Sequence, residues 1–158
     1  MKRNAGKVYA FWILGTEAVG ALAGWLTRGG TDFYNASIIE PPFSPPAIVF
    51  PIVWTILYLL MGIGAARIYL APASEARTRS LALYLIQLFF NFLWPVVFFN
   101  LQWFGFAFLW IIALWVLILL MIRSFREVDP IAAWLQLPYL IWVSFAAYLN
   151  LGVWLLNR

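Results

Sequence analysis

Five apolar stretches, Val8–Leu26, Ala47–Leu70, Ser80–Leu101, Trp103–Ile122 and Ile131–Leu156, follow one another with only four polar breaks between them. An α-helix rising ~1.5 Å per residue needs roughly 20 residues to cross a ~30 Å hydrocarbon layer, and each stretch approaches or exceeds that length. With 65% of its 158 residues hydrophobic and 10% charged, the chain has too little polar surface for a water-soluble fold. The expected fold is an all-α integral membrane protein: one five-helix transmembrane bundle over residues 1–158, with the lipid bilayer as its first partner.

The net charge of +4 does not point to nucleic acid, because the basic residues cluster at span ends and not along one face. They report orientation. On an up-and-down path one side holds Lys2, Arg3, Lys7, Arg67, Arg77, Arg79, Arg123 and Arg126, the other only Arg28 and Arg158. This bias predicts a cytoplasmic N-terminus, with the C-terminus and the first loop outside. Basic residues before Val8–Leu26 resemble a signal peptide. No Ala-x-Ala site follows, however, and Arg28-Gly29-Gly30 reads as a helix stop, so a retained span is expected. The sequence contains neither Cys nor His, which removes disulfides and the ligands of most zinc, copper and haem sites; no metal is expected.

Three breaks are short, and short links predict antiparallel neighbours in sequence order. Pro130 suits the first position of the fifth helix, where its missing N–H costs nothing. The exception is the loop over 27–46, with Gly29-Gly30, Phe33-Tyr34 and Pro41-Pro42-Phe43-Ser44-Pro45-Pro46. A loop that long is either functional or disordered, and prolines around an aromatic favour an ordered, lid-like cover. A rigid spacer between the first two spans is the equal alternative.

Polar groups inside spans are expensive and face the bundle interior or a cavity. They are few: Glu17 in the first span, Gln87 and Asn91 in the third, and Gln136, Ser144 and Asn150 in the fifth. Counting ~1.5 Å per residue places Glu17 roughly 14 Å, Gln87 roughly 10 Å and Asn91 roughly 16 Å from the cytoplasmic end, so they are within reach of one another. By the same count Trp142 falls roughly 16 Å deep and Trp54 roughly 11 Å below the outer face. Trp54, Asn91, Trp142 and Ser144 are thus expected to gather beneath the Pro-rich loop. The plainer alternative is that the polar groups only fasten helices together. Gly15, Gly20 and Gly24 mark the first span as close-packing, with Gly62 and Gly64 similar in the second. The fourth span, without polar side chains except indoles, is expected to face lipid or a second subunit. Most of the ten tryptophans lie near span ends, where an interfacial belt explains them; Trp54 and Trp142 are the candidates for a ligand surface.

These residues resemble a known family, the tryptophan-rich sensory proteins of bacteria and their mitochondrial relatives, the translocator proteins or peripheral benzodiazepine receptors. The resemblance is carried by Phe33-Tyr34 with the Pro-rich run; by Phe50-Pro51-Ile52-Val53-Trp54 through Tyr58 with Met61-Gly62; by Gln87 to Asn91 through Trp94-Pro95 and Phe98-Phe99; and by Leu137-Pro138-Tyr139, Trp142 to Ala146 and Leu149-Asn150. It implies five helices around a pocket opening toward the first loop, usually in a homodimer. It also implies porphyrin binding, with cholesterol and benzodiazepine-type ligands for mitochondrial members. Carried over by position, the implied ligand-binding residues are Tyr34, Pro45, Trp54, Gln87, Asn91, Trp94, Trp142 and Ala146. Some bacterial members are described as degrading protoporphyrin in light, and then Trp54 and Trp142 are the implied catalytic residues. The chain departs from the family in having Phe33 in place of Trp, and Glu40 and Phe43 where a lid Lys and a Trp are common. The Tyr and basic residue of the mitochondrial cholesterol motif are replaced by Leu151 and Leu155.

Three functions follow as expectations. The first is binding of a protoporphyrin-type tetrapyrrole, or a similar flat apolar ligand, for sensing, regulation or transport, with porphyrin as ligand and no obligatory cofactor. The second is light- and oxygen-dependent porphyrin degradation. The third is small-molecule transport, for which no internal repeat or charged relay is evident and Glu17 is the sole candidate proton carrier.

Overall fold

The computed structural model describes residues 4–158. Lys2 and Arg3, two members of the charge bias, lie outside the described residues. Seven α-helices follow in order: α1 (Ala5–Leu26), α2 (Arg28–Ser37), α3 (Val49–Leu70), α4 (Glu75–Pro95), α5 (Phe104–Val128), α6 (Pro130–Trp134) and α7 (Leu137–Asn157). A π-helical turn, Val96–Asn100, prolongs α4. Five helical rods, α1, α3, α4 with its π turn, α5, and α6 with α7, are long and apolar enough to cross a membrane.

The helices close into a ring in which α1 lies mainly against α3, α4 against α5, and α5 also against α7, while α4 meets α1. Sequence order therefore predicts only part of the neighbourhood: α3 and α4, though joined by a short turn, touch far less than α1 and α3 do. At Gly62 the reason is local. A Cβ there would stand 2.6 Å from Ile13 Cα, so the missing side chain is what lets the α1 and α3 backbones approach. The fourth span is not simply a lipid-facing helix. Ala107, Ile111, Leu114, Ile118, Met121 and Phe125, spaced three and four apart, are buried as one stripe against the neighbours, while Leu109, Ile112 and Val116 face outward.

Four boundaries differ from the apolar pattern, each for a physical reason. The fourth span continues through Arg123 and Arg126 to Val128, because Ser124 and Phe125 still pack inward while the charges reach out. Ser124 and Ser80 hydroxyls meet at 2.7 Å, and Phe125 stacks on Tyr84. The third span starts earlier, at Glu75, behind an N-cap in which Ser74 Oγ accepts from the Arg77 N–H. The fifth is broken at Leu135-Gln136, since Pro138 in a continuous helix would clash with the carbonyl of Trp134. Pro130 does open this last rod, and Asp129 caps it: Oδ1 accepts from Ile131 N at 3.0 Å while Oδ2 accepts from Arg67 Nε at 2.8 Å.

The fourth difference matters most for function. Arg28-Gly29-Gly30 does not stop helical structure. Thr27 closes α1 by sending its N–H and hydroxyl back to the Ala23 carbonyl, and the chain re-enters helix at once as α2. Gly30 lets α2 lie on the π turn, where a Cβ would come 2.6 Å from the Phe99 carbonyl oxygen. Asn100 Nδ2 donates to the Leu26 carbonyl at 3.0 Å, tying the same turn to the end of α1. On α2, Tyr34 is buried against Phe98 and Phe99 while Asp32, Asn35 and Ser37 are exposed, so a short amphipathic helix forms within the stretch expected to be loop.

Candidate ligand-binding cavity

A cavity of ≈ 520 Å³ lies between α1, α2, α3, α7 and the end of α4; α5 contributes nothing to its wall. Each helix presents one face, because lining positions recur at three- and four-residue intervals. On α3 these are Phe50, Trp54 and Tyr58; on α7, Trp142, Ala146 and Asn150; on α4, Asn91, Trp94 and Pro95, continued by Phe98 in the π turn. Glu17, Gly20 and Gly24 supply the α1 side, and Arg28, Thr31, Asp32 and Tyr34 of α2 form the cover. Its volume falls in the ~300–1,000 Å³ range of small-molecule sites.

Aromatic rings set its shape. Trp54 and Trp142 stand at 89° with centroids 6.5 Å apart. Trp54 also stacks on Tyr58 at 5.5 Å, and Phe50 meets Trp142 edge-on at 5.8 Å. Trp94 stacks on Phe98 at 4.9 Å. The Trp94 indole N–H donates to Asn150 Oδ1 at 3.0 Å, and Asn150 Nδ2 in turn donates to the Phe104 carbonyl at 2.8 Å. The Trp142 indole N–H is buried without an acceptor among the described residues.

The polar groups form a chain behind this wall. Tyr58 donates its hydroxyl to Asn91 Oδ1 at 2.7 Å; Asn91 Nδ2 donates to the Tyr139 hydroxyl at 2.8 Å; Tyr139 donates onward to Gln87 Oε1 at 2.7 Å. Each amide and hydroxyl is thereby oriented, so the side of Asn91 left facing the cavity is set by its neighbours. On α2, outside the spans, burial and then the nearby Glu40 push the Tyr34 hydroxyl above the ordinary tyrosine range, so it stays neutral.

Of the residues singled out from sequence, Tyr34, Trp54, Asn91, Trp94, Trp142 and Ala146 are brought together on the cavity wall. Gln87 and Pro45 are not. Gln87 is fully buried one layer back, on Tyr139. Pro45 belongs to a segment fastened to α7 instead: Ile39 and Asn157 exchange hydrogen bonds at 3.0 and 2.8 Å, Tyr148 donates to the Pro42 carbonyl at 2.6 Å, and Pro41 packs against Gly152. The cover is therefore α2, and the prolines anchor it. Ser144 is also elsewhere, on the exposed side of α7 accepting from Trp115 Nε1 at 2.8 Å. Two positions along a helix turn a side chain by about 200°, so Trp142 and Ser144 cannot share a face; periodicity carried that signal. Tyr58 and Asn150 were missed as lining groups, although Tyr58 lies one helical turn from Trp54 and Asn150 one from Ala146. Of the three polar groups whose depths allowed them to meet, Glu17 and Asn91 line the same space and Gln87 does not.

A five-span bundle with an internal aromatic cavity under a short helix defines an integral membrane protein whose function is to be sought inside the bundle. Comparison with known proteins gives the family. The TspO/MBR family profile matches residues 12–155. The chain is 35% identical over 141 residues to the tryptophan-rich protein TspO of Chlorobaculum tepidum, covering 89% of each. It is 33% identical over 151 residues to protein CrtK of Rhodobacter capsulatus, covering 95% of this chain and 92% of that one. With the translocator protein of Ovis aries it shares 35% identity over 133 residues, 83% of this chain and 79% of the other. The chain belongs to the TspO/MBR family.

Proposed function

We propose that the cavity binds a tetrapyrrole of the protoporphyrin type, or a similar flat apolar ligand, for sensing, regulation or transport. The observation that carries this is the pair of perpendicular indoles, Trp54 and Trp142, 6.5 Å apart on the wall of a ≈ 520 Å³ cavity. A flat ring gains burial and stacking from such a wall, and offset or edge contacts each add ~0.5–1.5 kcal/mol beyond area. The unmatched Trp142 N–H and the oriented Asn91 amide are polar groups suited to fixing a ligand's position. The test is quenching of tryptophan fluorescence on titration with protoporphyrin. The reading holds if quenching saturates at one site and Trp54→Phe or Trp142→Phe weakens it; unsaturable quenching, equal in both variants, rejects it.

A second reading, light- and oxygen-dependent degradation of the bound porphyrin, is favoured by the contiguous Trp142–Trp54–Tyr58 cluster, whose rings are all electron-rich. Bleaching of the porphyrin absorbance under illumination in air but not under argon distinguishes turnover from binding. The same proposal includes a homodimer, and a cytoplasmic N-terminus with α2 outside, supported by the charge bias and the resemblance.

A further inference from the structure

Glu17 is the sole carboxylate that the sequence places deep within a span, and the fold turns it toward the cavity. Among the described residues it has no hydrogen-bond or ion-pair partner. The ion pairs among the described residues are Arg67–Asp129 and Arg79–Glu127, both at the opposite end of the bundle. The other charged residues on the cavity wall are Arg28 and Asp32. They lie one turn apart on α2 and offset each other, and Arg28 is engaged elsewhere: its Nη1 donates to the Trp25 carbonyl at 2.6 Å and its guanidinium lies over the Trp25 ring at 4.5 Å. Two hydroxyls of the same region are already engaged. Tyr58 gives its proton to Asn91, and the Thr16 hydroxyl is committed to the Trp12 carbonyl and Tyr84. A carboxylate at this depth in the membrane without a donor is costly, and a cationic group on a ligand would supply the missing partner. Trp54 and Tyr58 line the same cavity, and the negative quadrupole of an aromatic face attracts a cation.

We propose that Glu17 makes this cavity selective for ligands carrying a basic nitrogen, which pairs with the carboxylate beside the Trp54 and Tyr58 rings. This rests on the cavity being a ligand site, and it gives that site a chemical preference. An amine arriving uncharged from the bilayer and a protonated Glu17 reach the same ion pair by transfer of one proton from carboxyl oxygen to nitrogen. Carboxylate-bearing ligands are disfavoured at this end by like charge.

The experiment uses the full chain in lipid nanodiscs and two matched probe pairs, with tryptophan quenching as readout. The first pair shares one macrocycle: the bis(2-aminoethyl)amide and the dimethyl ester of protoporphyrin. The second is small: 2-naphthylethylamine and 2-naphthylethanol. Parent protein is expected to prefer the amine of each pair by about tenfold, and Glu17→Gln to remove that preference. Thermal unfolding of Glu17→Gln reports that the fold is intact; Glu17→Asp, which keeps the charge, is expected to keep part of the preference. Equal preference in parent and Glu17→Gln for whichever pair binds overturns the assignment. Porphyrins that fail to bind beside a Glu17-dependent preference for naphthylethylamine reject the tetrapyrrole reading alone. Failure of all four probes to bind the parent rejects both.

Discussion

Tyr58 on α3 donates its hydroxyl to Asn91 Oδ1 on α4 at 2.7 Å, and this single bond joins two walls of the cavity. Since Asn91 Nδ2 passes on to Tyr139, three helices share one hydrogen-bonded chain. An amide near mid-membrane, taken from sequence alone, has the look of a group waiting for a ligand, and its removal is then expected to be harmless to the empty protein. The geometry reverses that expectation.

Asn91→Leu is predicted to destabilise the bundle, because the buried Tyr58 hydroxyl loses its acceptor, at about 1–3 kcal/mol for an unsatisfied group, and Tyr139 keeps only its bond to Gln87. Thermal unfolding should show a clear fall in Tm. Combining it with Tyr58→Phe should cost less than the sum of the two changes, as expected for groups in contact. An unchanged Tm for Asn91→Leu would show that the chain contributes nothing.

Trp54→Phe and Trp142→Phe are predicted to leave Tm nearly unchanged, because a smaller ring still fills much of each position beside the cavity. Porphyrin affinity should drop several-fold in each, consistent with ~0.5–1.5 kcal/mol for a lost aromatic contact. Titration by fluorescence checks binding, and illumination in air checks conversion. If both variants bind and convert like the parent, the ligand sits elsewhere.

Glycine substitutions along the α1–α3 contact should separate sharply. Gly62→Leu forces a side chain into the Ile13 backbone and should destabilise by at least the ~1–3 kcal/mol of an overpacked core. Gly15→Ala meets nothing within 4 Å and gains helix propensity, so it should be neutral or slightly stabilising. Melting curves of the two variants decide; equal effects would mean that α1 and α3 do not approach closely at Gly62.

Orientation is open to direct labelling, since the parent chain has no Cys. Ser37, exposed at the end of α2, and Ala73, exposed in the turn before α4, are on opposite ends of the bundle. A membrane-impermeant maleimide should label Ser37→Cys from outside intact cells and spare Ala73→Cys. The opposite pattern inverts the topology.

The sequence by itself determined the class of fold, five spans in an up-and-down path, because bilayer thickness and helical rise are local rules that need no partner. It also brought Trp54 and Trp142 to one depth and put Pro130 at a helix start. Tertiary structure decided the rest. Gln87 and Asn91 lie one turn apart on the same face of α4, and only the position of Tyr139 makes one of them a buried support and the other part of the wall. Helix α2 forms because Tyr34 finds Phe98 and Phe99 to pack against, and the π turn that presents those rings lies more than sixty residues away in sequence. Pro45 left the site because the segment carrying it is held by α7 through Asn157 and Tyr148. Span lengths depend on the solvent, which every residue meets alike; a cavity depends on which side chains from distant segments occupy the same space, and that is settled only when the helices pack.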